Sequence, residues 1–419
     1  MLRETAKRIF GLLPPRVRQS LRNRRDARRS LRLRQCLAGI GAHDIAVPDV
    51  NHLLHHLRGE ALSRLPKGVA HFVSVGCAGT WYFEWIRDQC GPLRHTGIEF
   101  YSPRPADLPD GVDWIVNTAG NMEALRDQSA DLLFSGQNIE HLWPEDIGNF
   151  LLESHRVLRD GGLLVIDSPN RRVTALLGWS HPEHTIELEL AEVMELLDLA
   201  GFDVEHRAGL WLCSEPDTGA VLPFDEFSSG GPWPLTRRVA EAASHPESSF
   251  IWWVQARKRG REPQPGRLRE RIRQINEVAW PERLNRLKSI IGQGFMHRGE
   301  AWFDSGGRPG ALLHGPYTAL PPGRHSVTFT LEYVAAAPLE TAVAIVQATA
   351  ANGAAILARK EISGSAAAPG QEFTVQLDFE LADTTFAVEF VVLAFEAVPL
   401  RTPKRVGVTS GAGEARLGH

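Results

Sequence analysis

The sequence predicts an α/β domain followed by an all-β sandwich. Two observations predict this order: short apolar strands alternate with amphipathic helices over residues 36–260, and runs of period-two alternation occupy residues 296–408. Strands that alternate with helices favour a parallel sheet covered on both faces, whereas period-two runs separated by Gly and Pro favour antiparallel strands. The 419 residues, of which 43% are hydrophobic, are enough for two or three domains with buried cores.

The first domain contains seven predicted strands. They are Ala70–Val75, His95–Phe100, Trp114–Asn117, Asp131–Ser135, Gly162–Asp167, Phe202–Cys213 and Phe250–Arg257. Helices are predicted at residues 49–65, 80–89, 147–158 and 189–200, and Gly201 is typical of a residue that closes a helix. A long loop rich in Pro, Gly and Ser, residues 214–249, is predicted before the last strand and is a candidate lid over a substrate.

The two ends and the linker differ from the domains in composition. Residues 1–34 of a predicted basic arm (1–35) hold twelve Lys and Arg against two acids, a net charge of +10, so the rest of the chain carries −4 − 10 = −14. The arm predicts contact with an anionic membrane surface, with a solvated terminus as the alternative. No nucleic acid is expected, because Phe10 is the arm's one aromatic residue and the remainder is acidic. A helical linker is predicted at 261–295 and a disordered tail at 409–419.

The expected location is the cytoplasm, with peripheral attachment to the inner face of the membrane through the arm. No stretch approaches the roughly 20 apolar residues of a membrane span, and the N-terminus lacks the pattern of a signal peptide. The four cysteines are scattered, so neither a disulfide framework nor a zinc site is predicted.

A glycine turn follows the first strand at Gly76-Cys77-Ala78-Gly79. Such a turn, with a helix after it, places backbone N–H groups beside a ligand. Glu99 ends the second strand 23 residues after Gly76, close to the spacing expected of a carboxylate that accepts ribose hydroxyls. NAD and FAD are disfavoured, because Ala78 puts a methyl group where a pyrophosphate approaches and Trp81 replaces the third glycine.

Residues 72–80 resemble the first motif of the class I S-adenosylmethionine (SAM)-dependent methyltransferases. The similarity extends to about residue 257 through Asn121-Met122, Asp131–Ser135, Glu140–Leu142, Arg159–Ile166 and Leu199–Phe202. The resemblance implies a Rossmann-like, seven-stranded methyltransferase sheet and SAM as cofactor. The cofactor-binding residues that we predict are Gly76, Cys77, Ala78, Gly79, Glu99, Asn121, Met122 and Gln137. Ser74 departs from the family, which usually has an acid at that position.

Two polar segments, residues 135–141 and 167–184, follow the fourth and fifth strands and suit a polyhydroxylated or phosphorylated acceptor. The candidate catalytic bases are His141, His181 and His184, because methylation of an oxygen benefits from a base with a pKa near neutrality. The alternatives are histidines that cap a helix or bond the backbone. No metal site is predicted, since no fourth ligand is evident near the histidines at 181 and 184.

Residues 315–325 are similar to the start of β-sandwich modules attached to enzymes of bacterial polysaccharide synthesis. The 296–408 domain is therefore a candidate carbohydrate-binding domain with Trp302, Tyr317 and Tyr333 as aromatic faces, and core packing is the alternative. Together these features predict O-methylation of a glycan or lipid-linked sugar in cell-surface polysaccharide synthesis. A non-catalytic adaptor with a degenerate SAM site, binding glycan or membrane, is the alternative, and a nucleotide-sugar or NAD enzyme is a third reading.

Overall fold

The computed structural model describes residues 50–77, 81–222, 232–336, 341–351, 353–395 and 398–412. These residues form two compact units. The first unit comprises the described residues up to Ile139 together with Glu145–Val173 and Leu188–Glu270, and the second comprises Glu140–Pro144, Thr174–Glu187 and the residues from Arg271 onward. The predicted basic arm lies outside the described residues, as do residues 223–231 of the predicted loop.

The described helices are, in chain order, α1 (Val50–Ser63), α2 (Trp81–Cys90), α3 (Pro144–Val157), α4 (Arg171–Leu176), α5 (Leu190–Leu199), α6 (Leu235–Ser244) and α7 (Pro265–Leu284). The strands of the first unit are β1 (His71–Val75), β2 (Arg94–Glu99), β3 (Val112–Val116), β4 (Ala130–Gly136), β5 (Leu158–Pro169), β6 (Phe202–Leu212) and β7 (Ser249–Lys258). Each predicted strand is present, with ends that differ by a few residues from those predicted.

The first unit is built on one seven-stranded sheet in the order β3-β2-β1-β4-β5-β7-β6. The pairs from β3 to β5 are parallel, whereas β7 is antiparallel to both β5 and β6. The predicted α/β fold class is confirmed. The expectation of a wholly parallel sheet is wrong for β7, because β7 runs back beside the strand that precedes it in sequence, a pairing that antiparallel strands allow.

The central strands of the first unit are buried on both faces. Every residue of β1 is buried, as expected of a short apolar strand covered by helices on both sides. The side chains of Trp252 and Trp253 on β7 are fully buried, and Trp252 Nε1 donates to the Leu188 carbonyl oxygen at 2.9 Å. Both tryptophans therefore pack in the core.

Part of the predicted 214–249 loop is helical. α6 buries Leu235, Arg238 and Ala242 along one face. The Arg238 guanidinium lies 4.0 Å from the centre of the Trp211 ring, and both Nε and Nη2 donate to the Leu212 carbonyl oxygen. The expectation of a structureless loop is wrong for this stretch, because a buried cation–π contact and an apolar face fix the helix against β6.

The second unit contains two antiparallel sheets, as the period-two pattern predicts. Its strands are β8 (Gln293–His297), β9 (Glu300–Asp304), β10 (Gly310–Leu313), β11 (Pro316–Leu320), β12 (Gly323–Tyr333), β13 (Ala342–Ala350), β14 (Ala355–Ser363), β15 (Glu372–Leu381), β16 (Thr385–Ala394), β17 (Leu400–Pro403) and β18 (Gly407–Ala412). One sheet has the order β10-β16-β13-β14 with β11 beside β16, and the other has the order β15-β12-β17-β9-β8 with β18 beside β12. Alternate residues of β12, Val327, Phe329 and Leu331, are fully buried in a core shared by strands of both sheets.

Two of the three predicted sugar-binding aromatics are core residues. Trp302 is 3% exposed and Tyr333 is fully buried, with its hydroxyl donating to the Ser363 carbonyl oxygen at 2.7 Å. A sugar stacks on an exposed ring, so Trp302 and Tyr333 do not offer such a face. Tyr317 is half-buried.

The linker and the C-terminal strand differ from the predicted boundaries. The predicted linker contains α7, which ends at Leu284, and β8 begins at Gln293. The disordered tail predicted from residue 409 is wrong for residues 409–412, because β18 pairs with β12 over Gly407–Ala412. Residues 413–419 lie outside the described chain. Within the part of the chain that the structure describes, no helix is both long and apolar enough to cross a bilayer.

Candidate functional site

The turn after β1 requires glycine at position 76. Gly76 has a φ of +68°, a left-handed conformation that favours glycine. A Cβ atom at this position would lie 2.2 Å from Oδ1 of Asn138, so the Asn138 side chain covers the turn. Asn138 is held there by a hydrogen bond from Nδ2 to Ser135 Oγ at 3.0 Å. The next two predicted cofactor residues, Ala78 and Gly79, lie outside the described residues.

Glu99 ends β2 at the same edge of the sheet as this turn, because β1 and β2 are parallel neighbours. Its side chain is 6% exposed, and Oε1 accepts hydrogen bonds from the N–H groups of Tyr101 at 2.9 Å and Ser102 at 3.0 Å. These bonds fix the carboxylate through one oxygen and do not use Oε2. The Cys77 thiol donates to the carbonyl oxygen of Ile98, the residue before Glu99, at 3.3 Å, so the turn lies beside the end of β2. Burial and the Glu99 charge raise the pKa of this thiol.

A buried, uncharged pair stands where the resemblance places an acid. Ser74 Oγ lies 2.9 Å from Nε2 of His95, and both side chains are buried. Burial lowers the pKa of His95 to about 4, with a smaller contribution from His71. His95 is therefore neutral at pH 7, and the pair provides hydrogen-bonding groups without a charge. The identity of Ser74 is visible in the sequence, but its partner on the neighbouring strand is not.

The predicted adenine segment follows β3 and is bonded within the first unit. Asn121 Oδ1 accepts from the N–H of Glu123 at 3.0 Å, and the N–H of Met122 donates to Glu153 Oε2 at 2.8 Å. The Met122 side chain is 1% exposed. Of these two residues, the half-buried Asn121 therefore has a side-chain amide that can reach a ligand, whereas Met122 packs in the core.

An ion pair that the sequence did not predict lies at the carboxyl ends of β4 and β5. Arg58 on α1 donates from Nε to Asp167 Oδ2 at 2.7 Å, and the two side chains are 3% and 0% exposed. Oδ1 of Asp167 accepts from the backbone N–H and from Nε2 of Gln137, each at 3.0 Å. Both the backbone N–H and the side-chain amide of Gln137, a predicted cofactor contact, are thus used in hydrogen bonds to Asp167. Arg58 and Asp167 are 109 residues apart, so no local pattern relates them.

The three predicted catalytic histidines lie together in the second unit. The ring centres of His181 and His184 are 4.6 Å apart, those of His141 and His184 are 4.8 Å apart, and those of His141 and His181 are 6.1 Å apart. The closeness of His181 and His184 follows from their spacing in sequence. The position of His141 beside them comes from the fold, because it lies about forty residues earlier in the chain.

Glu187 holds His184 in a buried charged cluster. Nδ1 of His184 lies 2.9 Å from Glu187 Oε1, while Glu187 Oε2 lies 3.1 Å from Arg286 and Oε1 lies 3.5 Å from Arg283. Burial acts to raise the pKa of Glu187, but the hydrogen bond from His184 and the charges of both arginines outweigh it and hold that pKa below its usual range. Burial lowers the pKa of His184 to about 3. Glu187 is therefore charged and His184 neutral at pH 7.

The three rings differ in their capacity to act as a base. His184 is too weakly basic to take a proton near neutral pH. Nδ1 of His181 accepts from the N–H of Glu183 at 3.3 Å, so its ring proton is on Nε2. Nδ1 of His141 lies 3.1 Å from the carbonyl oxygen of Glu183 and donates to it, which leaves the lone pair on Nε2. Burial also lowers the pKa of His141 and His181.

Comparison with known proteins connects the first unit to one family. A family model described as a methyltransferase domain matches residues 73–166. A curated protein of Mycolicibacterium smegmatis, named "Probable S-adenosylmethionine-dependent methyltransferase", is 44% identical over 93 residues, which are 21% of this chain and 34% of that protein. A Mycobacterium tuberculosis protein of the same description is 44% identical over 90 residues, 21% of this chain and 32% of that protein. Residues 73–166 belong to the SAM-dependent methyltransferase superfamily.

The chain spans about a third of the length of the curated relatives that it matches. A solved structure of a SAM-dependent methyltransferase from Mesorhizobium loti is 18% identical, covers 50% of this chain and 100% of its own, and has a TM-score of 0.36. The fold assignment rests on the strand order rather than on that match. The predicted superfamily is confirmed, and SAM is the cofactor that its members use.

The described residues of the methyltransferase domain fit the ribose end of SAM. Glu99 presents a buried, fixed carboxylate, and the N–H of Gly76 donates to the carbonyl oxygen of Ile98, the residue before Glu99, at 2.9 Å. Asn138, which belongs to the predicted acceptor segment 135–141, covers the turn instead. Arg58, which the sequence did not predict, lies at the end of β4, where a Cβ on Gly136 would meet its Nη2 at 2.3 Å.

Proposed function

We propose that this chain is a SAM-dependent methyltransferase that binds SAM in the first unit, between the Gly76 turn and Glu99. The observation that carries the proposal is the placement of Glu99, a buried carboxylate beside the turn that is held through Oε1. Its other oxygen can accept hydrogen bonds from the two ribose hydroxyls. Because sulfonium is already a good leaving group, the protein mainly orients the acceptor and excludes water.

The acceptor that we propose is a hydroxyl of a glycan or a lipid-linked sugar in cell-surface polysaccharide synthesis. It is supported by the β-sandwich of the second unit and by the similarity of residues 315–325 to modules attached to enzymes of polysaccharide synthesis. Gln137 and Asn138 do not support it, because their side chains bond Asp167 and Ser135. Asp167 and Asn170 no longer support it: Arg58 and Gln137 bond Asp167, and Asn170 Nδ2 donates to nearby carbonyl oxygens. A base role stays a prediction for His141 and His181, whereas the low pKa of His184 argues against it there.

We propose in addition that the basic arm, residues 1–34, binds anionic lipid at the inner face of the membrane. Its net charge of +10 supports this partner, since each basic residue near an anionic surface contributes about 1 kcal/mol. Full-length protein should co-float with vesicles that contain anionic lipid, and protein without residues 1–34 should not. Equal flotation of the two proteins would contradict the proposal.

Titration calorimetry with SAM and S-adenosylhomocysteine tests the cofactor. We expect both to bind the full chain with similar affinity, because they share the adenosine that Glu99 contacts. If neither ligand gives a heat of binding at millimolar concentration, the proposal is overturned and the non-catalytic adaptor with a degenerate SAM site is favoured.

Glu99→Gln tests the site itself. The amide oxygen can still accept from Tyr101 and Ser102, but its NH2 group cannot accept from ribose, so affinity should fall about tenfold to hundredfold. Asp113→Asn is the matched control, because Asp113 is an exposed carboxylate on β3 that pairs with Arg94. Equal affinities of Glu99→Gln and wild type would show that SAM binds elsewhere.

The acceptor is tested by transfer of labelled methyl from SAM to fractions of a cell-envelope extract. We expect label in the polysaccharide or lipid-linked sugar fraction with wild-type protein, and a strong decrease with Glu99→Gln. Label confined to protein or nucleic acid would contradict the acceptor class and leave the methyltransferase activity standing.

A further inference from the structure

Three side chains of metal-ligand type converge in the second unit: Glu140, His141 and His184. One carboxylate oxygen and one nitrogen from each ring lie within 4.8 Å of one another. Glu140 is fully buried, His184 is 4% exposed and His141 is half-buried. Ligands bound to one tetrahedral Zn²⁺ at about 2.1 Å lie about 3.4 Å apart, so the group closes on an ion with movements of about an ångström.

Hydrogen bonds at the far side of each ring prepare both histidines to ligate. Nδ1 of His184 donates to Glu187, and Nδ1 of His141 donates to the Glu183 carbonyl oxygen. Each ring therefore has its lone pair on Nε2. Metal-bound histidines usually have this arrangement, because an acceptor on one nitrogen fixes the tautomer and the orientation of the other.

The two carboxylates near the histidines, Glu140 and Glu187, have different roles. Glu187 lies 3.1 Å from Arg286 and 3.5 Å from Arg283, so its charge is balanced by the two arginines. Glu140, whose carboxylate oxygen lies within 4.8 Å of a nitrogen of each ring, supplies the anionic ligand. Two imidazoles and one carboxylate form a common donor set for Zn²⁺, and three protein ligands leave one coordination position open.

We propose that Glu140, His141 and His184 bind one Zn²⁺ ion. The site does not involve the cofactor residues, so it stands independently of methyl transfer. An ion on Nε2 of His141 and His184 takes up the lone pair that a base requires, so neither ring acts as a base while the ion is bound.

A second group in the same unit provides a matched control. His297, Glu332 and Glu372 also lie within reach of one ion. Glu332 is 3.3 Å from Arg401, and Arg298 pairs with Glu372. Both of its carboxylates pair with arginines, and this group offers one imidazole where the first group offers two, so it serves as the control.

Titration of the metal-free full chain with Co²⁺ and Zn²⁺ tests the proposal. We expect one equivalent of Co²⁺ to bind with the visible absorption of a tetrahedral site, without a thiolate charge-transfer band, and to be displaced by Zn²⁺. His141→Ala should weaken binding by about 100-fold or more, and His297→Ala should leave it unchanged. Absence of stoichiometric binding to wild type, or its loss in His297→Ala but not in His141→Ala, would overturn the proposal.

A second set of measurements checks that His141→Ala is folded. Zn²⁺ should raise the melting temperature of the wild-type protein, because an ion that binds the folded state stabilises it. Circular dichroism of metal-free His141→Ala should match that of metal-free wild type. If this variant does not fold, His141→Gln replaces it, and the wild-type cobalt spectrum alone still decides between nitrogen–oxygen ligation and a cysteine site.

Discussion

Arg58 Nε donates to Asp167 Oδ2 at 2.7 Å, and neither side chain has appreciable contact with solvent. The pair connects α1 to the carboxyl end of β5. The Tyr82 ring lies 4.8 Å from the guanidinium carbon, which adds a cation–π contact. Gly136 leaves the space that the guanidinium fills. This edge of the sheet, next to the proposed cofactor site, is therefore assembled around one buried ion pair.

Arg58→Met should destabilise the protein by about 3–5 kcal/mol, because it leaves the Asp167 charge buried without its partner. The free energy of unfolding in urea measures the effect. Arg87→Met is the matched control: Arg87 and Asp88 form a pair at 3.3 Å with more than half of each side chain exposed, and such pairs contribute about 0–1 kcal/mol. Equal losses in the two variants would show that burial of the pair does not matter.

The predictable part of the fold is the part that local patterns encode. The apolar runs of β1 and β4 and the alternation of β12 predict those strands, since burial on two faces or one face sets the pattern directly. The direction of β7 was not predictable, because strand pairing depends on contacts between distant segments. The pairing of β18 with β12 was missed for the same reason: its small, polar residues carry no strand pattern, and the ladder itself orders them.

The same distinction applies to the site. Gly76 and Glu99 were found because a turn and a strand end lie at a spacing that one motif determines. Arg58 was not found, and neither were the arginines at 283 and 286, about 100 residues beyond Glu187. Such pairs arise from tertiary packing, and a single sequence contains no local sign of them.

Gly76→Ala should lower the free energy of unfolding by more than the same substitution at another glycine with a positive φ. The positive φ costs an L-residue about 1–2 kcal/mol, and the new Cβ would also meet Asn138 Oδ1 at 2.2 Å. We expect a total loss of about 2–5 kcal/mol in urea unfolding, since overpacking typically adds 1–3 kcal/mol, and weaker binding of SAM.

Gly68→Ala is the control for this substitution. Gly68 has a φ of +65°, and a Cβ added there would meet no atom within 4 Å, so only the backbone cost of about 1–2 kcal/mol applies. The double variant Gly76→Ala, Asn138→Gly should recover the additional loss. If Gly76→Ala and Gly68→Ala lower the free energy of unfolding by the same amount, Asn138 does not pack over the turn.

The Ser74–His95 pair should make the stability of the protein depend on pH. His95 is enclosed by the rings of Phe72 and Phe83, and its folded pKa of about 4 lies below the ordinary value of 6.5. Above pH 6.5 the ring is neutral in both states. Below it, the unfolded chain binds a proton that the folded protein does not, so stability decreases as the pH falls towards 4, by roughly 3 kcal/mol in total.

His95→Gln removes this titration and keeps a hydrogen-bond partner for Ser74. Its unfolding free energy should therefore decrease less than that of wild type between pH 7 and pH 4.5, by about 2–3 kcal/mol on the same scale. Burial lowers the pKa of His71 in the same way, and its effect is common to both proteins. His206→Gln, at an exposed position on β6, is the matched control for the loss of a histidine. Parallel curves for His95→Gln and wild type would mean that the buried imidazole is not the group that makes acid destabilising.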